Sequence, residues 1–143
     1  DLARSVKAWG PGDYLLQRRI KERLLDGRPA YFRVYFVFGS VWSCWWDPRD
    51  DHYRRVTPAE IEALQLHPLE AIIRRMAALT GMNFFSTEIA VAESGEFVVI
   101  DYVNDQCHML SQSADPQRGV PDDLVAAIAS RLVQAARELL SRR

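Results

Sequence analysis

A chain of 143 residues that is 48% apolar suits one domain with a real core and argues against disorder. Its formal net charge of −1 excludes the global basic field of a general nucleic-acid or anionic-membrane binder. Two distant cysteines, Cys44 and Cys107, form no CxxC, which argues against a disulfide framework or zinc site and for a reducing, cytoplasmic setting.

The opening, DLARSVKAWG, has no apolar core of a signal peptide, and no later run approaches transmembrane length. It also lacks an initiator Met, so the 143 residues are expected to be one domain cut from a larger protein. Asp1–Trp9 reads as the end of a helix, stopped by Gly10-Pro11-Gly12. Tyr14–Ile20, YLLQRRI, reads as a strand. Over Lys21–Pro29 the turn residues Asp26-Gly27-Arg28-Pro29 favour a hairpin.

Ala30–Trp46 is the most aromatic stretch. Alternation places Tyr31, Arg33, Tyr35 and Val37 on one face and Phe32, Val34, Phe36 and Phe38 on the other. Gly39-Ser40 turns the chain into a return strand, Val41–Trp46. Arg33 is either an exposed cation on a wet face or an anion-binding group whose fork suits carboxylate and phosphate. Asp47–Arg55 reads as a charged loop with a solvated His52.

Thr57-Pro58-Ala59-Glu60 is a helix start with a capping box. Pro68 steers His67 away from helical angles, so this helix ends near Leu66 and a second runs over Pro68–Leu79. Leu69, Ile72, Ile73, Met76 and Leu79 follow helical spacing, and Gly81 provides the stop.

Phe84–Ala92 and Phe97–Val103 predict an antiparallel hairpin around Glu93-Ser94-Gly95-Glu96. Glu88 lies with Phe84, Ser86 and Ala90, away from Ile89 and Val91. An acid in an apolar strand is ordinarily just on the solvent face of a half-covered sheet. Glu88, Asp101 and Asn104 together, however, are hard oxygen ligands that can converge on Mg²⁺ bridging nucleotide phosphates. Gln106–Gly119 is loop-like; adjacent Cys107 and His108 point apart on a strand, which disfavours a nucleophile–base pair. Val120-Pro121-Asp122-Asp123 opens a last helix whose stripe is Leu124, Ile128, Leu132, Ala135 and Leu139. The predicted class is α+β, an antiparallel sheet with helices packed on one face.

From Tyr14 to the final helix the chain resembles the C-terminal lobe of an ATP-grasp domain, the fold of many ATP-dependent carboxylate–amine and carboxylate–thiol ligases. YLLQRRI is similar to the family's hinge strand, which implies that Gln17, Arg18, Arg19 and Ile20 lie near adenine. AYFRVYFVFG resembles the strand carrying a catalytic Arg that holds phosphate or acyl-phosphate, here Arg33. NFFSTEIAV…GEFVVIDYVND resembles the paired strands with the magnesium ligands, which implies Glu88, Asp101 and Asn104. The family usually reads acid-x-Asn; here Tyr102 stands two before Asn104 and Asp101 three before it. Asp101 and Asn104 then converge only across a bulge. The resemblance implies an ADP-forming ligase that binds ATP, Mg²⁺ and a small carboxylate and is completed by an upstream nucleotide-binding lobe. No membrane partner is expected and nucleic acid is not favoured; a homo-oligomer is compatible with the sequence. The alternative is a non-catalytic module for single-stranded nucleic acid or a protein partner, on a scaffold of this kind that has lost its site. Tyr31, Tyr35, Trp42, Trp45 and Trp46 beside Arg18, Arg19 and Arg33 motivate it.

Overall fold

The computed structural model describes residues 4, 7–8, 10, 12–14, 18–47, 49, 51–104 and 107–141. Gln17 lies outside them. Residues 18–20 run without regular secondary structure, so this part of the expected Tyr14–Ile20 strand does not form. The chain first joins the sheet region through a bridge of Glu22 to Ala92 and a bond from Arg23 N to Val91 O. The small hairpin follows, with β1 (Leu24–Leu25) and β2 (Arg28–Pro29) flanking Asp26-Gly27.

The main sheet is built from β3 (Tyr31–Val37), β4 (Ser40–Asp47), β5 (His52–Arg55), β6 (Phe84–Val91) and β7 (Phe97–Asn104). Its order is β5-β4-β3-β6-β7, and every neighbouring pair is antiparallel. Two consecutive residues of positive φ, Phe38 at 45° and Gly39 at 88°, make the tight β3–β4 turn. Its tip is tied to β6 by Phe38 N donating to Asn83 O at 2.6 Å. β5 falls within the stretch that reads as a charged loop; its residues, HYRR, carry too much charge to look like a strand.

Helix α1 (Pro58–Ala63) starts with the predicted capping box: Thr57 Oγ1 accepts from Glu60 N, and Glu60 accepts from Thr57 N. Helix α2 (His67–Thr80) follows, ended by Gly81 at φ 70°. Helix α3 is Asp122–Leu140.

Alternation along β3 divides the core in two. Phe32, Val34 and Phe36 meet Phe85, Ile89 and Val91 and are covered by Leu66, Leu69, Ile73 and Ala77 of the α1–α2 region. Each such fully buried aliphatic side chain contributes about 1.5–3 kcal/mol. The other face holds Tyr35, Val37, Cys44 and Tyr53 beneath Val120, Leu124 and Ile128. The structure is thus α+β on an antiparallel sheet, with α1 and α2 on one face and α3 over part of the other. Leu79 and Leu139 are exposed and drop out of their predicted stripes; Ala77 and Ala135 are the buried residues near those helix ends. Arg131 of α3 donates to Phe38 O at 2.7 Å, pinning the helix to the β3–β4 tip. No helix among the described residues is long and apolar enough to cross a membrane.

Candidate functional site

The α3 side of the sheet carries a row of chemically active side chains. Register places Arg55, Cys44, Arg33, Glu88 and Asp101 opposite one another across all five strands. Directly opposed residues of antiparallel strands project to the same face. The neighbouring row contains Tyr35, Ser86 and Asn104. Both rows depend on an irregular β7. Two residues separate Asp101 from Asn104 where one separates Ser86 from Glu88, and a second register shift lies between Glu88 and Ile89. This is the bulge that Asp101 and Asn104 require if they are to share a face.

Arg33 and Glu88 form the centre. Arg33 Nη2 donates to Glu88 Oε1 at 2.5 Å, and the two side chains are only 11% and 12% exposed. Glu88 Oε2 has a long contact from Tyr31 OH at 3.4 Å, and Arg33 Nη1 has one to Ser86 Oγ at 3.4 Å. The guanidinium lies over Trp46, 4.8 Å from the ring centre, and Tyr31 meets the same ring edge-on. Burial raises the Glu88 carboxyl above its ordinary value; the Arg33 charge opposes that shift and the facing Asp101 carboxylate adds to it. Burial likewise raises the Tyr31 hydroxyl, reinforced by the Glu88 charge. Cys44 is pushed up to about 12 by burial, so its thiol is not a nucleophile at neutral pH.

Among the described residues, four buried polar atoms on or near this pair lack a hydrogen-bond partner: Arg33 Nε, Tyr35 OH, Trp46 Nε1 and Asn104 Nδ2. Buried polar groups without protein partners are uncommon.

Beside the row is a hollow of about 300 Å³ walled by Arg18, Ile20, Tyr31 and the Val98–Ile100 backbone stretch. Arg18 and Ile20 are therefore together, with Tyr31 joining their hollow to Glu88. Arg19 faces another depression, with Lys21, Arg23 and Glu93. The structure thus separates Arg19 from its two neighbours, because successive residues of an extended chain point apart.

Compared with protein-family models and with curated proteins, the chain matches none. The site must be read from its chemistry. Among the described residues, no three His, Cys, Asp or Glu side chains cluster as a metal centre. The available set is two carboxylates, Glu88 and Asp101, and the Asn104 amide, whose nitrogen is partnerless and whose oxygen and nitrogen are interchangeable by a flip. These are hard oxygen donors, of the kind Mg²⁺ takes rather than zinc, and fewer than calcium's usual six to eight.

Tyr31, Trp46 and Ser86 complete the site; the sequence reading gives Tyr31 and Trp46 only to the alternative binding module and gives Ser86 no role. Alternation already groups Tyr31 with Arg33 and Ser86 with Glu88; what it lacks is the register that joins the groups. His108 stacks on Tyr53 with ring centres 6.3 Å apart, and Cys107 Sγ donates to Asn104 O at 3.4 Å. These contacts give both residues places beside the site without making them an acid–base pair.

Proposed function

We propose that this chain is the nucleotide- and Mg²⁺-binding C-terminal lobe of an ATP-grasp ligase that activates a small carboxylate as an acyl-phosphate for attack by an amine or thiol. The observation that carries this reading is the continuity, through Tyr31, between an apolar slot and a charged row. A nucleotide has the same polarity, a flat base at one end and phosphates at the other. Ile20, the Tyr31 ring and Val98 offer apolar walls for the base, and the main chain of residues 18–20 is free of sheet pairing and offers its polar groups to the base edge. Arg18 adds a cation at the rim.

At the other end, the Arg33 guanidinium holds the transferred group. Trp46 and Tyr31 fix the plane of that guanidinium and keep water from one side. Glu88, Asp101 and Asn104 would hold Mg²⁺, which when bound supplies charge neutralisation to the phosphates. Catalysis is then positioning and electrostatics, with no covalent protein intermediate.

Calorimetric titration of Mg·ATP into the wild type, Glu88→Ala and Asp101→Ala tests the assignment. Binding weakens tenfold or more in Glu88→Ala, since a charge-assisted contact is worth roughly 1.5–3 kcal/mol. Equal affinity in wild type and Glu88→Ala overturns the ligand set. One observation favours a second reading, a scaffold that keeps the fold without the chemistry: Arg33 already satisfies one oxygen of Glu88. ATP hydrolysis by a protein that includes the upstream lobe, abolished by Glu88→Ala, decides against the scaffold.

A further inference from the structure

Tyr31 opens β3, and alternation sends it to the same face as Arg33. It helps to wall the hollow of about 300 Å³, and its hydroxyl also reaches the charged row. The ring is bounded by three neighbours. Trp46 meets it edge-on, with ring centres 5.4 Å apart. The hydroxyl stands 3.4 Å from Glu88 Oε2. The hollow, with Ile20 and Val98, takes up another side.

The two oxygens of Glu88 are held unequally. Oε1 accepts from Arg33 Nη2 at 2.5 Å, and that guanidinium is itself stacked on Trp46. Oε2 has the Tyr31 hydroxyl at 3.4 Å, whereas a hydroxyl donating to a carboxylate ordinarily closes to about 2.5–2.7 Å. One oxygen is therefore pinned, and the other lies a small ring movement away from being pinned. A carboxylate oxygen has lone pairs for a hydroxyl and an ion together, so closing this bond does not block the ligand role of Glu88.

We propose that Tyr31 is a positioning residue that couples the two halves of the site: a base lodged against its ring brings its hydroxyl onto Glu88 Oε2 and so sets the carboxylate for the ion. This inference rests on the nucleotide reading above. Whichever ligand arrives first bears the cost of ordering Tyr31, and the second is spared it. Ordering one side chain corresponds to roughly a two- to tenfold change in affinity. The factor is the same whichever ligand is varied.

The test is titration of Mg²⁺ into the ¹⁵N-labelled chain with and without saturating adenosine, which has a base but no phosphate to touch the ion. The Asn104 side-chain amide, assigned by its loss in Asn104→Asp, reports the ion, and the Ile20 and Val98 amides report adenosine. Adenosine is expected to strengthen Mg²⁺ binding by roughly two- to tenfold. Tyr31→Phe keeps the ring and the wall and deletes a hydroxyl whose contact is long. In it each ligand alone binds much as in the wild type, and the factor falls to one. A merely structural role would weaken each ligand alone and leave the factor in place. If both ligands bind and the factor is one in the wild type, or if it persists in Tyr31→Phe, the coupling is overturned and the nucleotide reading stands. If adenosine or Mg²⁺ gives no saturable shift, the nucleotide reading falls and the coupling falls with it.

Discussion

Of the Arg–Glu pairs among the described residues, two whose arginines lie on the sheet are opposites. Arg54–Glu60 ties β5 to the first turn of α1, where Glu60 also accepts from the Thr57 N–H and hydroxyl. Those hydrogen bonds, led by Arg54, hold the Glu60 carboxyl down to about 2. Arg33–Glu88 lies on the sheet beneath aromatic rings, and there burial outweighs the cation and raises the carboxyl. The Glu60 carboxylate is surrounded by donors and closes a helix. The Glu88 carboxylate is short of them and faces another carboxylate. A carboxylate already surrounded by donors holds the chain together; one short of them beside a hollow can take on another partner.

The comparison breaks most sharply at Arg33. Arg33→Ala leaves Glu88 buried and uncompensated, and urea denaturation is expected to show a loss of about 3–5 kcal/mol. The double variant Arg33→Met, Glu88→Leu is expected to recover most of that loss while abolishing the nucleotide binding proposed above, which separates stability from the proposed function.

Glu60→Gln is next, at on the order of 2 kcal/mol at neutral pH after allowance for partial exposure. Its pH dependence sharpens the contrast. Glu60 has a depressed value, so its stabilisation is present above the ordinary 4.5 and is lost as pH falls toward about 2. Glu88 has a raised value, so its folded form keeps a proton longer than the unfolded chain. Its contribution is full below 4.5 and declines as pH rises through the folded value. Stability–pH curves therefore lose the Glu60 share of their acid limb in Glu60→Gln and the Glu88 share of their decline above 4.5 in Glu88→Gln.

Thr57→Ala removes the cap but leaves the Arg54–Glu60 pair, and costs about 1 kcal/mol by thermal or urea unfolding. Lys21→Ala, which cuts the exposed Lys21–Glu93 pair, changes stability by less than about 0.5 kcal/mol.

Elements that are specified locally were legible in the sequence. The Thr57–Glu60 box, the β3–β4 turn at Gly39 and the β6–β7 hairpin each rest on a few adjacent residues, and all are present; a break between α1 and α2 is there too, but it falls at Leu64–Leu66 with Gln65 at φ 55°, and His67, expected to be kept from helical angles by Pro68, is itself the first residue of α2. β5 was not legible, because an edge strand with charged side chains lacks the apolar alternation of the inner strands. In the site, Arg33 and Glu88 stood out as separate groups, one for anions and one for a cation. Their pairing depends on the register of β3 against β6, which are 55 residues apart in the chain at this contact. The register that puts Asp101 and Asn104 in rows of one face was legible only as a condition, a bulge, since the residue spacing alone contradicts it.

The β3–β4 tip has a mechanical consequence. It is riveted to Asn83 on one side and to Arg131 of α3 on the other, with the guanidinium also 5.9 Å above the Phe38 ring. Breathing of the sheet must then pivot about that corner, so amplitude grows toward the far end, where Tyr31 and Trp46 stand. Amide exchange should slow along β3 from Tyr31 toward Val37, and cutting the rivet with Arg131→Ala should erase that gradient.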